Sequence, residues 1–225
     1  RGRPQVGVDA QDISAQSADA DMDWTVLGEV KGGDFPGIEA VLVHDSNVYV
    51  GGDFDSIDEV TGTANIAMWD GSSWSALGTG MEDSVYALAA DDDGNIYAGG
   101  YFDEAGDCIT ACQKIAMWDG DQWLPLGRGA TGSYLGSVYS IVVTDSDTTD
   151  PVVYVGGEVK TFLNPDGTEV DVYSIGKWDT VSQTWSALGG GVHDFRPVHD
   201  IVLRGEDVYI GGKFFSVWTD VITQT

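Results

Sequence analysis

An all-β chain built from a repeated four-stranded antiparallel unit, a β-propeller, is the fold class the sequence predicts. Three observations carry it. A Tyr-x-Gly-Gly motif recurs four times, at 47–54 (NVYVGGDF), 95–102 (NIYAGGYF), 152–159 (VVYVGGEV) and 207–214 (DVYIGGKF), with the Gly pairs starting at 51, 99, 156 and 211. The first three are each followed by a second shared element: 65–78 (NIAMWDGSSWSALG), 114–127 (KIAMWDGDQWLPLG) and 174–189 (SIGKWDTVSQTWSALG). Composition agrees, because 31 Gly in 225 residues with eight Trp and nine Tyr suits turn-dense β structure and leaves few stretches for a long helix.

Residues 1–22 are rich in Ala, Asp, Ser and Gln and read as a leader or linker, or as a short added strand around Val6 and Val8. Residues 23–28 (DWTVLG) match the last strand of a unit, with no earlier strands of that unit before them. Apolar runs at 38–43, 85–90, 138–143 and 198–203 open the units as strand a, and the Tyr-x-Gly-Gly segments are strand b. Strand c ends at Trp69, Trp118 and Trp178, whereas Trp24, Trp74, Trp123 and Trp185 open strand d. Asp70-Gly71 and Asp119-Gly120 mark tight c–d hairpins. The units are therefore about 38–78, 85–127, 138–189 and 198–225, and the last shows strands a and b but no c. The amino-terminal strand is expected to contribute to closing the ring within a 23–225 propeller domain. Seven of the eight Trp are explained by place in the repeat and read as core. The Gly pairs either let neighbouring backbones approach or form bulges.

The phrases VYVGGxF, NIAMWDGSSWSALG and VYAL resemble the repeats of fungal cortical landmark proteins and of related surface proteins with kelch-like or galactose-oxidase-like propellers. The resemblance covers residues 23–225 and implies an extracellular or surface-displayed, non-catalytic interaction domain. The third unit departs from it, with Glu158-Val159 in place of a polar-Phe pair and a longer b–c insertion.

Ten Lys and Arg against 37 Asp and Glu give a net charge of −27, which opposes binding to nucleic acid or an anionic membrane. No apolar run is long enough for a transmembrane helix. Cys108 and Cys112, four residues apart, either close a small disulfide loop or remain free thiols. Acidity, scarce Lys and this pair point to an extracellular or cell-surface setting.

A site is expected where connections vary, on the face formed by the b–c and d–a loops. Its candidate contacts are Phe35, Tyr134, His193, Phe195 and Arg196, with Phe162 and Trp218 from b–c loops. The bland alternative is that these residues cover the ring or pack on neighbours. Partners would be a protein or a glycan, and the free b edge of the last unit invites self-assembly by strand addition. No catalytic constellation stands out: His44, His193 and His199 sit in unrelated contexts, and no nucleophile motif occurs. Calcium is the one cofactor with a rationale, through Asp91, Asp92 and Asp93, or Asp145, Asp147 and Asp150, against the reading of plain acidic turns. The leading functional expectation is a non-catalytic interaction or adhesion scaffold. The alternatives are a structural subunit completed by strands of a neighbouring chain, or a glycan-processing enzyme.

Overall fold

The computed structural model describes residues 12–16, 24–33, 36–131, 136–144, 151–192 and 196–216. All of its regular elements are strands. β1 (Asp12–Gln16) pairs antiparallel with β2 (Trp24–Lys31). The first unit holds β3 (Gly37–His44), β4 (Asn47–Asp53), the short β5 (Ser56–Ile57), β6 (Ile66–Trp69) and β7 (Trp74–Ser75), with sheet order β3-β4-β6-β7. The second holds β8 (Val85–Ala90), β9 (Ile96–Gly100), β10 (Ile115–Trp118) and β11 (Trp123–Pro125), each hydrogen-bonded to the next. After β12 (Ala130–Thr131) come β13 (Val138–Val143), β14 (Val152–Gly157), β15 (Thr161–Leu163), β16 (Glu169–Asp171), β17 (Ile175–Asp179) and β18 (Thr184–Ala187). The third sheet runs β13-β14-β17-β18. β19 (Val198–Arg204) and β20 (Asp207–Gly212) form a two-stranded fourth sheet.

Strands a to d of the repeat are therefore three complete antiparallel sheets and one partial one. The c–d hairpins set paired Trp rings against each other in all three complete sheets. Trp69 faces Trp74, Trp118 faces Trp123 and Trp178 faces Trp185, at 5.4, 5.5 and 5.3 Å between ring centroids. The Asp after each strand-c Trp closes the turn by accepting backbone N–H groups two and three residues on, as Asp70 does from Ser72 and Ser73. Gly71 and Gly120 take the positive φ that these turns require.

The two members of each Gly pair have different causes. A Cβ on the second would run into a backbone carbonyl of strand a or the residue before it: Gly37 for Gly52, Ser84 for Gly100, Ser137 for Gly157 and Pro197 for Gly212. A Cβ on the first would meet the β-branched residue that opens the next unit: Val85 for Gly51, Val138 for Gly99 and Val198 for Gly156. The close backbone approach expected of the pair holds for its second glycine; the first instead makes room for a side chain of the next unit, and the register shift lies opposite the pair, in strand a.

Three devices join the units: all three act between the first and second and between the second and third, and among the described residues only the first acts between the third and fourth. Strand a of each unit packs on strand a of the next, β3 on β8, β8 on β13 and β13 on β19. The strand-d indole reaches back to a carbonyl of the preceding repeat: Trp74 donates to Leu27 at 3.0 Å, Trp123 to Leu77 at 3.0 Å and Trp185 to Leu126 at 2.9 Å. Each b–c loop also pairs with the segment after strand d of the preceding unit, as β5 with β2, Ala105 with Met81 and β15 with β12.

The part expected of the amino-terminal strand in closing the ring would be played against residues after 216, which lie outside the described residues. Among the described residues β2 pairs with β1 and β5 and lends its Leu27 carbonyl to the first unit, and it forms no sheet with β19 and β20. Its WTVLG segment supplies the clasp that a preceding strand d would supply, so it is seated by the unit after it.

Candidate functional site

In all four units the pairing of strand a with strand b shifts register around the second residue of strand a. The shifts lie between Ile38 and Ala40, Val85 and Ala87, Val138 and Ser140, and Val198 and Asp200. The bulged residues are Glu39, Tyr86, Tyr139 and His199. A bulge turns one side chain away from strict alternation, and here it does so at one height in four neighbouring strands. Tyr86 stacks on Tyr139 with centroids 5.7 Å apart, and Tyr139 lies 5.2 Å from the His199 ring. The tyrosines are partly buried, whereas Glu39 and His199 are exposed.

The result is a continuous row with a carboxylate at one end, two phenols in the middle and an imidazole at the other. Burial raises the Tyr86 pKa, with the Ser84 hydroxyl opposing it, so the phenol stays a neutral donor and acceptor across the ordinary pH range. Such a row offers hydrogen bonds and ring edges to a polyol or a peptide.

The sequence-predicted loop site fares differently. Phe162 is fully buried, stacked at 3.9 Å on Trp185 within the third unit's core. It cannot serve as a surface contact, because its loop strand β15 is tucked against β12 of the preceding connection. Arg196 is exposed at the entry to β19. Phe35, Tyr134, His193, Phe195 and Trp218 lie outside the described residues, as do Asp145, Asp147 and Asp150. Cys108 and Cys112 are bonded to each other in the b–c loop of the second unit, with Cys112 buried.

Asp91 is occupied by its own turn. Its carboxylate accepts from the Asp93 and Asn95 backbone N–H groups, the Asn95 amide and the Tyr97 hydroxyl, at 2.8 to 3.1 Å. Asp92 and Asp93 are exposed, and no group of three or more metal-ligating side chains gathers among the described residues. Burial and the Asp91 charge push the Tyr97 phenol pKa up, which fixes it as the donor in this contact.

The bulged row was not among the sequence-predicted residues. A signal for it exists: when the units are aligned on Ile38, Val85, Val138 and Val198, the next position reads Glu, Tyr, Tyr and His between near-constant neighbours. Strict alternation hides it, because the bulge breaks the period of two.

No protein-family model and no curated protein sequence matches the chain. Among solved structures, it is similar to the computationally designed Ika8 protein, with 18% identity and a TM-score of 0.42, over 94% of this chain and 69% of that one. It is also similar to the extracellular domain assigned to the one-component system BT4673 of B. thetaiotaomicron, with 11% identity and a TM-score of 0.36, over 91% of this chain and 37% of that one.

Proposed function

We propose that the chain is a non-catalytic interaction scaffold of propeller type, working outside the cell or at its surface. The carrying observation is the row Glu39–Tyr86–Tyr139–His199, raised by a bulge repeated in every unit and held in ring-to-ring contact from Tyr86 to His199. The clasps between units make the support rigid, and preformed aromatic contacts bind with little loss of conformational entropy. The Cys108–Cys112 bridge is compatible with an oxidising compartment, and the net charge of −27 favours uncharged or basic partners.

The partner is a glycan or a protein segment rich in hydroxyl and amide groups. A glycan array and a pull-down with the purified chain test this. The double variant Tyr86→Ala, Tyr139→Ala is expected to weaken the captured ligand about tenfold or more. Replacing exposed Arg196 by Ala reports on the loop face in the same assay. Ligand binding that ignores both tyrosines would move the site elsewhere, and absence of any ligand would count against the scaffold reading.

A further inference from the structure

Inside the chain each unit presents one sheet face to its successor, and the contact has a fixed composition. The strand-b Tyr enters the neighbour's core: Tyr49 clusters with Val85 and Met81, Tyr97 with Val138 and Ile141, and Tyr154 packs on Val198 and Ile201. The first Gly of the pair receives the neighbour's first residue, and the residue three places on joins it, as Ile141 does at Gly99 and Ile201 at Gly156. These incoming side chains are covered, with Ile141 at 7% and Ile201 at 3% exposure.

Among the described residues both halves of this contact also occur unpaired. On the fourth unit Tyr209 is 52% and Val202 54% exposed, and a Cβ on Gly211 would meet nothing nearer than the Asp200 side chain at 3.9 Å. On the first unit Val41, the counterpart of Ile141 and Ile201, is 62% exposed, and Val43 beside it is 69% exposed. One end thus carries the glycine socket and the free Tyr. The other carries Val41, the counterpart of the Ile141 and Ile201 that enter the socket at Gly99 and Gly156.

We infer that the open face of the fourth unit binds the open face of the first unit of a second copy of this chain, head to tail. The contact repeats in trans the one that joins units in cis. The bulged row would then continue from His199 of one copy to Glu39 of the next, an imidazole N–H donor meeting a carboxylate acceptor. Heterologous contacts of this kind propagate. At long range the charge of −27 on each copy opposes them, so association strengthens as salt is raised. This inference goes beyond the scaffold reading and stands independently of ligand binding.

Analytical ultracentrifugation of the 225-residue chain tests it, from about 1 to about 100 μM and at low and physiological salt. Val41→Asp removes one end and Tyr209→Asp the other, both at exposed positions where substitution is expected to cost the fold little. The unaltered chain is expected to grow in mass with concentration and salt. Each variant alone should stay monomeric, and an equimolar mixture should double in mass and grow no further, since one good end of each kind remains. Chains with one cysteine added beside the Cys108–Cys112 bridge, Val41→Cys mixed with Tyr209→Cys, should cross-link between copies, while Val181→Cys at an exposed c–d turn should not. A chain that stays monomeric throughout, variants that still assemble, a mixture that stays monomeric, or cross-linking only within a chain carrying both cysteines would overturn the inference.

Discussion

The second and fourth units carry almost the same strand b, NIYAGGYF and DVYIGGKF, yet their surroundings differ at every position facing a neighbour. Tyr97 is 1% exposed and its Gly99 abuts Val138; Tyr209 is 52% exposed, and a Cβ on its Gly211 would meet only the Asp200 side chain, at 3.9 Å. The motif is therefore half of a contact whose other half lies one repeat away. Core, in this architecture, is a property of a pair of units, as in other repeat proteins whose stability is carried by neighbour interfaces.

The sharpest way to break the comparison is to empty the same site twice. Tyr97→Ala is expected to cost about 3–5 kcal/mol, the range for removing a large buried aromatic, and it also strips a donor from Asp91. Tyr209→Ala should stay within about 0.5 kcal/mol in dilute solution, as exposed substitutions do. Urea denaturation of both variants gives the two values, and comparable losses would end the distinction between the units.

Filling the glycine sockets is the next test. Gly99→Ala forces a methyl group into the Val138 side chain and should lose about 1–3 kcal/mol through overpacking. Gly211→Ala has room and should be near neutral, within about 0.5 kcal/mol. Thermal midpoints recorded side by side would show the difference, with Gly51→Ala grouping with Gly99→Ala.

The smallest effect lies at the c–d turns, which the fourth unit does not show among the described residues. Hydrogen bonds from the Ser72 hydroxyl and the Ser73 and Ser72 backbone lower the Asp70 pKa from 3.8 to about 2. A lowered carboxylate pKa adds stability above the unfolded-state value, and that contribution is lost as pH falls through the folded value. The turn should thus loosen between about pH 4 and pH 2. An NMR titration of the Asp70 carboxyl should find its midpoint well below that of an exposed Asp, and an ordinary midpoint would remove the effect.

Much of the fold was legible because its chemistry is local. The c–d hairpins follow from Asp-Gly turns between Trp residues, and the four strands of each unit follow from apolar runs of the right length. What escaped depends on neighbours or on register. Phe162 looked like a loop aromatic in a variable insertion, and only the pairing of β15 with β12 shows that the insertion is tucked against the connection that precedes its unit. The WTVLG segment reads as the last strand of a unit, and only the hydrogen bond from the Trp74 indole to the Leu27 carbonyl shows that it also clasps the unit after it. The bulged row escaped because a one-residue shift moves side chains between faces, and that shift is written in the second glycine of strand b, two strands' lengths from the residue it redirects.

Hydrogen exchange measured residue by residue at a low and a high protein concentration tests the central claim most directly. If a unit's glycine–tyrosine face is completed only by the next unit, Ala98 and Gly99 in β9 exchange slowly at both concentrations. Ile210 and Gly211 in β20 then exchange fast in dilute solution and slow down as copies meet. Equal protection of β9 and β20 in dilute solution would contradict it.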